Sequence, residues 1–150
     1  MNTAQNVVHA VQDARLAGRG VAYESVRNWM PTHLLVEMWR SPFSILADAR
    51  EVEKALSRAS SEEDGFETSP VAEVRVHQFE PYGVSGAVRS VHANIVIHTW
   101  PENGYAALDI YASSRDHAYR VLAGIERGLL PESVQITEIN RGEYLYIEDT

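Results

Sequence analysis

Within residues 83–113 the chain gathers Ser85, His92, Asn94, His98, Thr99, Trp100 and Glu102, a dense set of groups able to do chemistry. A histidine gives or takes a proton near neutral pH, as general acid–base catalysis requires. A carboxylate such as Glu102 accepts two hydrogen bonds at once and suits a diol. His92, with His98 and His77, also offers imidazole nitrogens to a metal. Histidines along one strand face more often hold none, so no metal is expected. A serine–histidine–acid set from Ser85 or Ser113, His98 and Glu102 is arithmetically available, but no Gly-X-Ser-X-Gly elbow accompanies it.

Two blocks stand in one register. One is Phe79-Glu80-Pro81-Tyr82-Gly83-Val84-Ser85-Gly86. The other is Ile97-His98-Thr99-Trp100-Pro101-Glu102, followed by Gly104-Tyr105-Ala106-Ala107 and Asp109. Together they resemble the bacterial S-adenosylmethionine decarboxylases, over roughly residues 33–142. The resemblance implies an adenosyl-sulfonium ligand and a homodimer with sites near the subunit interface. It implies that Phe79 stacks on adenine and that Glu102 binds the ribose hydroxyls. Ser85 and His98 fall where family members process the chain and handle protons. Glu37 falls at the acidic position of the first strand, and Trp100 joins the ligand-binding set. A structural role stands beside each of these. Phe79 also reads as a core aromatic, Glu37 as a strand-end carboxylate paired with an arginine, His98 as a ring bonded to a carbonyl, and Glu102 as a turn residue.

Family members cut their own chain at a Glu-Ser bond, and the serine becomes a pyruvoyl group. Five residues before His98 that serine position holds Ala93, between His92 and Asn94 where glutamate and histidine are usual. Fifteen residues after His98, the family's cysteine position holds Ser113. Alanine has no hydroxyl to attack the preceding carbonyl, so no pyruvoyl cofactor is expected. Decarboxylation then lacks its electron sink. Three readings stand. The first is an enzyme acting on S-adenosylmethionine or a relative without pyruvoyl, with His98, and His92 behind it, as base and Ser85 nearby. The second is a dead regulatory subunit of an active decarboxylase in polyamine synthesis. The third is an inactivated decarboxylase. The first is favoured because His92, Asn94 and Ser113 replace reactive groups with other polar ones.

The elements that must position these residues follow from periodicity. Ala4, Val7, Val8, Val11 and Ala14 have helical spacing, which predicts a helix over residues 3–18 stopped by Gly18 and Gly20. Residues 1–32 are read as a helical extension and 33–150 as the domain. Residues 33–40 read as a strand. Ser44 is a candidate N-cap for a helix over 45–59, and residues 60–70 are a solvated loop. Alternation predicts a strand over 71–79, with Val74 and Val76 on one face. A single strand through 87–98 is expected next, with Ala93 and His98 on opposite sides unless a bulge intervenes. The turn Pro101-Glu102-Asn103-Gly104 leads to a strand over 105–112. A helix over 117–128 follows, capped by Asp116 and ended by Gly128. Ser133 to Ile139 reads as a further strand, and residues 144–147 read as a terminal one. Two helices falling between strands predict an α/β (α+β) two-layer sandwich, with a largely antiparallel sheet and helices on one face.

Composition narrows the partners. Of 150 residues, 45% are hydrophobic and 23% charged, values that suit one soluble domain with a sizeable core. The net charge of −8 argues against nucleic acid and against anionic membranes. With no cysteine there is no disulfide, thiolate metal site or thiol nucleophile. The N-terminus lacks a signal-peptide pattern and no run has the length of a membrane span, so a cytoplasmic protein is expected.

Overall fold

The computed structural model describes residues 6–9, 30–62 and 73–141. Seven strands make one sheet: β1 (Asn6–His9), β2 (Thr32–Trp39), β3 (Glu73–Gln78), β4 (Val84–Arg89), β5 (Ala93–Trp100), β6 (Tyr105–Ala112) and β7 (Ser133–Asn140). Their spatial order is β1-β7-β2-β6-β5-β4-β3. Every neighbouring pair is antiparallel except β1, which runs parallel along the edge of β7. Among the described residues there are three α-helices, α1 (Phe43–Leu46), α2 (Ala49–Glu62) and α3 (Arg115–Leu129), and α2 and α3 pack on one face of the sheet. The expected α+β two-layer sandwich is what forms.

Alternation explains which face is covered. In β5 the buried residues are Ala93, Ile95, Ile97 and Thr99, while Asn94, Val96, His98 and Trp100 point to the open side. Leu34, Val36 and Met38 of β2 and Ala106, Leu108 and Ile110 of β6 join the same core. From the other layer come Val52, Leu56, Val121, Leu122 and Ile125. The two long helices approach closely because a glycine faces an alanine twice. A Cβ on Gly128 would lie 2.5 Å from the Ala55 methyl, and one on Gly124 would lie 2.9 Å from the Ala59 Cα. Gly128 therefore serves helix packing and does not end α3, which runs on to Leu129, with Leu130 at φ 52° behind it.

Several local expectations are corrected. Asn6–His9 is a strand where the spacing of Val7 and Val8 suggests a helix; β-branched residues beside an open edge pair with it. The remainder of that predicted helix, the predicted loop beyond Glu62 and the predicted strand at 144–147 lie outside the described residues. The helix expected over 45–59 is two helices, and Ser44 lies inside α1 and does not cap it. The Asp48 carboxylate instead accepts from the Arg50 amide at 2.9 Å, at the start of α2. Ser114, not Asp116, caps α3, accepting from the His117 amide at 3.3 Å.

The largest correction concerns residues 87–98, which form a hairpin and not one strand. Ser90 makes the turn, because its hydroxyl donates to the Ala93 carbonyl at 2.8 Å and accepts from the Ala93 amide at 3.0 Å. Such local side-chain bonds offer the backbone an alternative to the ladder. Beyond the turn, β5 pairs with β6 continuously from Ala93–Ala112 to Trp100–Tyr105, with no bulge. Ala93 and His98 therefore lie on opposite faces.

Two polar ties cross the layers. The Glu138 carboxylate, fully buried on β7, accepts from Arg115 Nε at 3.0 Å and from the Tyr119 hydroxyl at 2.7 Å. Burial, then Glu138, pushes the Tyr119 hydroxyl up to about 12. On the other side of the layer, the buried Thr99 hydroxyl donates to the Leu46 carbonyl and accepts from the Val84 amide, both at 2.8 Å. Thr99 is thus a structural clasp between α1, β4 and β5. Thr99→Val keeps the shape but orphans both backbone groups. It should lower unfolding free energy by about 1–3 kcal/mol in urea titration, the cost of a buried unsatisfied group.

Candidate functional site

The uncovered face of the sheet collects most of the residues singled out from the sequence. Because side chains two apart share a face, and paired residues lie side by side, the open face reads as cross-strand rows. One row runs Gln135, Glu37, Ala107, His98, Ser85, His77 from β7 to β3. Glu37 and His98 thus face each other across the small Ala107, about 10 Å apart at two strand spacings. Ser85 is the direct neighbour of His98.

The next row toward the end of the sheet is aromatic. Tyr105 of β6 pairs with Trp100 of β5, and Trp39 of β2 lies on its other side, one residue beyond the Met38–Ala106 pair. Tyr105 stacks on Trp39 with centroids 4.3 Å apart and on Trp100 at 5.3 Å. The Tyr105 hydroxyl donates to Glu37 Oε1 at 3.1 Å. Its proton is held more tightly than usual, first because of burial and then because of Glu37. Glu37 is therefore bonded to a tyrosine on an interior strand and not to an arginine at a strand end. His98 lies 6.3 Å from Trp100, its ring tilted by 51°.

At the same end Phe79 closes β3. It is 47% exposed, so it is not a core aromatic, and it makes an edge contact with His77 at 4.6 Å. Its amide donates to the Gly83 carbonyl at 2.8 Å, closing the loop between β3 and β4. Glu102 is exposed on the short 3-10 turn Pro101–Asn103. That turn is closed by Gly104 at φ 60°, where an added Cβ would come within 3.2 Å of the Arg40 Cα. The Ser41 amide donates to the Gly104 carbonyl at 3.0 Å, fixing the turn against the end of β2.

His92, Ala93 and Ser113 sit at the opposite end of β5. Ala93 is five residues from His98 and thus about 17 Å away along the strand. Its methyl is buried on the helix side. His92 stacks on His117 of α3, with centroids 4.5 Å apart and planes within 3°. Ser113 Oγ is 3.5 Å from His92 Nδ1, and the Ser113 amide donates to the His92 carbonyl at 2.8 Å. Imidazole lone pairs lie in the ring plane, so two parallel rings cannot direct them at one ion. His77, His92 and His98 do not converge, and no group of three or more potential ligands forms among the described residues. The serine–histidine–acid set fails as well for Ser113, which the sheet separates from His98.

Residues 32–142 match the profile of the S-adenosylmethionine decarboxylase family. The chain belongs to that family. It is 35% identical over 111 residues to the S-adenosylmethionine decarboxylase proenzyme of Moorella thermoacetica, covering 73% of this chain and 86% of the relative. It is 36% identical over 119 residues to the proenzyme of Caldanaerobacter subterraneus subsp. tengcongensis, covering 78% and 92%. The fold agrees with the crystal structure of the adenosylmethionine decarboxylase from Aquifex aeolicus at a TM-score of 0.69, with 24% identity, over 82% of this chain and 99% of that one.

The family match spans the strands that carry the rows and leaves the first 31 residues, with β1, outside it. No helix among the described residues is long and apolar enough to cross a membrane. Sequence reasoning missed Tyr105, Trp39 and His117. The first two carried a signal, since Trp39 is two residues from Glu37 on one strand face and Tyr105 lies inside the matching block. His117 carried none, because its stacking partner is distant in sequence. Stacked aromatic pairs add about 0.5–1.5 kcal/mol each beyond burial. Tyr105→Leu removes two stacks, so it should cost about 1–3 kcal/mol in urea unfolding and weaken the near-ultraviolet circular dichroism of the tryptophans.

Proposed function

We propose that this S-adenosylmethionine decarboxylase-like protein binds S-adenosylmethionine or a related adenosyl sulfonium on its open sheet face. It acts there without a pyruvoyl group. The observation that carries the reading is the grouping of Phe79, Ser85, His98 and Glu102 at one end of the sheet, with Ser85 and His98 paired in one row. Phe79 offers an exposed ring for adenine and Glu102 a carboxylate for the ribose diol, with Trp100 at the same end of β5 and Glu37 across Ala107 from His98. Relatives carry the name S-adenosylmethionine decarboxylase proenzyme, which supports the ligand class and a place in polyamine metabolism.

The residues at the other end do not fit a pyruvoyl group. Position 93 bears a methyl, buried between the layers, and the preceding carbonyl is held by the Ser113 amide with no hydroxyl at residue 93 to attack it. A sulfonium is already an electrophile, so chemistry at its neighbouring carbons needs only positioning and a base. In an elimination, His98 takes a proton from the carbon β to sulfur, the carbon–sulfur bond breaks, and the thioether leaves with the electron pair. In a displacement, His98 takes the proton of an incoming N–H or O–H nucleophile as that atom bonds to a carbon next to sulfur. The carbon–sulfur bond breaks and the neutral thioether leaves with the electron pair.

The assembly proposed is a cytoplasmic homodimer. Leu35, Trp39, Val96, Trp100 and Tyr111 are exposed on one sheet face, an apolar surface suited to a second sheet. The separation of His98 from His92 along β5 adds a second argument, since one ligand can reach both ends only if another chain contributes one of them. The same separation favours a second reading. A chain that keeps the Phe79, Ser85, His98 and Glu102 end can complete a site whose other half comes from an active relative, which describes a regulatory subunit.

Four measurements test these readings. Mass spectrometry after long incubation should show one uncleaved chain; fragments split between His92 and Ala93 would refute the pyruvoyl-free reading. Light scattering at micromolar concentration should give twice the chain mass, and a monomer counts against the dimer. Glu102→Ala should weaken S-adenosylmethionine binding by about 1.5–3 kcal/mol, the range for hydrogen bonds to a charged group. With product followed by mass spectrometry, His98→Gln should keep affinity and cut turnover by roughly 100-fold or more. Wild-type turnover in that variant removes His98 from the role. No product from wild type, together with stimulation of an active relative on mixing, selects the regulatory subunit.

A further inference from the structure

We propose that Tyr105 is a positioning residue whose hydroxyl holds the Glu37 carboxylate on the open face as the counter-charge for a cationic ligand group. The proposal rests on the adenosyl-sulfonium reading above and adds the residues that select for the positive charge. Tyr105 is well suited to aim a partner because its own ring is fixed on both sides. Trp39 stacks on it at 4.3 Å with planes 24° apart, and Trp100 at 5.3 Å with planes 25° apart. A ring held this way has little freedom at either side-chain torsion, so its hydroxyl has a defined position. From there it donates to Glu37 Oε1 at 3.1 Å.

A single donor leaves the other carboxylate oxygen and the whole negative charge for a ligand. The hydroxyl is neutral, and burial together with Glu37 keeps it protonated well above physiological pH. The pair therefore orients the charge without cancelling it, as an arginine partner would. Directly across Ala107 from Glu37 stands His98. The methyl of Ala107 leaves space over that strand, and the aromatic row closes one side of it. A sulfonium seated there would have the carboxylate on one side and the proposed base on the other. A neutral thioether would gain nothing from the carboxylate.

Calorimetric titration of the full chain tests the idea with two probes, S-adenosylmethionine and S-adenosylhomocysteine, which keeps the amino-acid charges but has a neutral sulfur. Tyr105→Phe keeps both ring stacks and deletes the hydroxyl. It should weaken S-adenosylmethionine about tenfold, as loss of one charge-assisted hydrogen bond does, and shift S-adenosylhomocysteine less than about twofold. Glu37→Gln should show the same selectivity, and the double variant should be no weaker than the weaker single one, because the two act as a unit. Thermal unfolding should give Tyr105→Phe a midpoint close to that of the wild type. Unchanged S-adenosylmethionine binding in Tyr105→Phe overturns the proposal, as does equal weakening of both probes or full additivity in the double variant. Wild-type protein that binds neither probe overturns the adenosyl-sulfonium reading and this proposal with it. Wild type that binds both probes, with Tyr105→Phe unaltered, sinks the proposal alone.

Discussion

Cross-strand register decides which side chains can meet on the open face. β2, β6, β5 and β4 pair antiparallel and in phase, without an inserted residue. Side-chain period in a strand is two, so a slip of one residue would send His98 and Glu37 into the core and bring Ile97 and Val36 to the surface. The continuous pairing therefore holds the acid, the imidazole and the serine in one row, and the three aromatic rings in the next. It also holds Ala93 and His98 apart, on opposite faces and at opposite ends of β5.

The register is in turn secured from the covered side. Ile95, Ile97, Leu108 and Ile110 cannot leave the core without exposing large apolar surface, worth about 1.5–3 kcal/mol per side chain. Gly124 and Gly128 let α3 lie against Ala59 and Ala55 of α2, so the two helices cover the sheet as a tight layer. Thr99 and Glu138 add directional bonds where hydrophobic contact alone would permit sliding. Thr99 belongs to the same short segment as His98, Trp100 and Glu102, and its inward bonds anchor the backbone from which the others point outward.

The two ends of the sheet differ in character. One presents a carboxylate, aromatic rings, a serine and a histidine around small residues. The other has His92, Ser113 and His117 packed on one another beside a buried methyl. The chain belongs to the S-adenosylmethionine decarboxylase family, and the adenosyl-sulfonium proposal rests on the first end. The proposal of a pyruvoyl-free chemistry rests on the second end, where residue 93 carries only a methyl.

Periodicity and motif spacing carried much of this in the sequence. The alternation within 87–98 and 105–112 sorted the side chains onto two faces, and the blocks around Phe79 and His98 predicted the family and the fold. Ala93, Ser113 and the lack of cysteine were legible as plain residue identities. What the sequence could not carry were contacts between residues far apart in the chain. The hairpin at Ser90 depends on a hydroxyl bonding back to Ala93, with no glycine or proline to announce it. The strand at Asn6–His9 depends on the edge of β7, and the stack of His92 on His117 on where α3 docks. Glu37 and Tyr105 are 68 residues apart. Local propensity sets which face a residue occupies, but only strand order and register decide who stands beside it, since both are fixed by burial across the whole sheet.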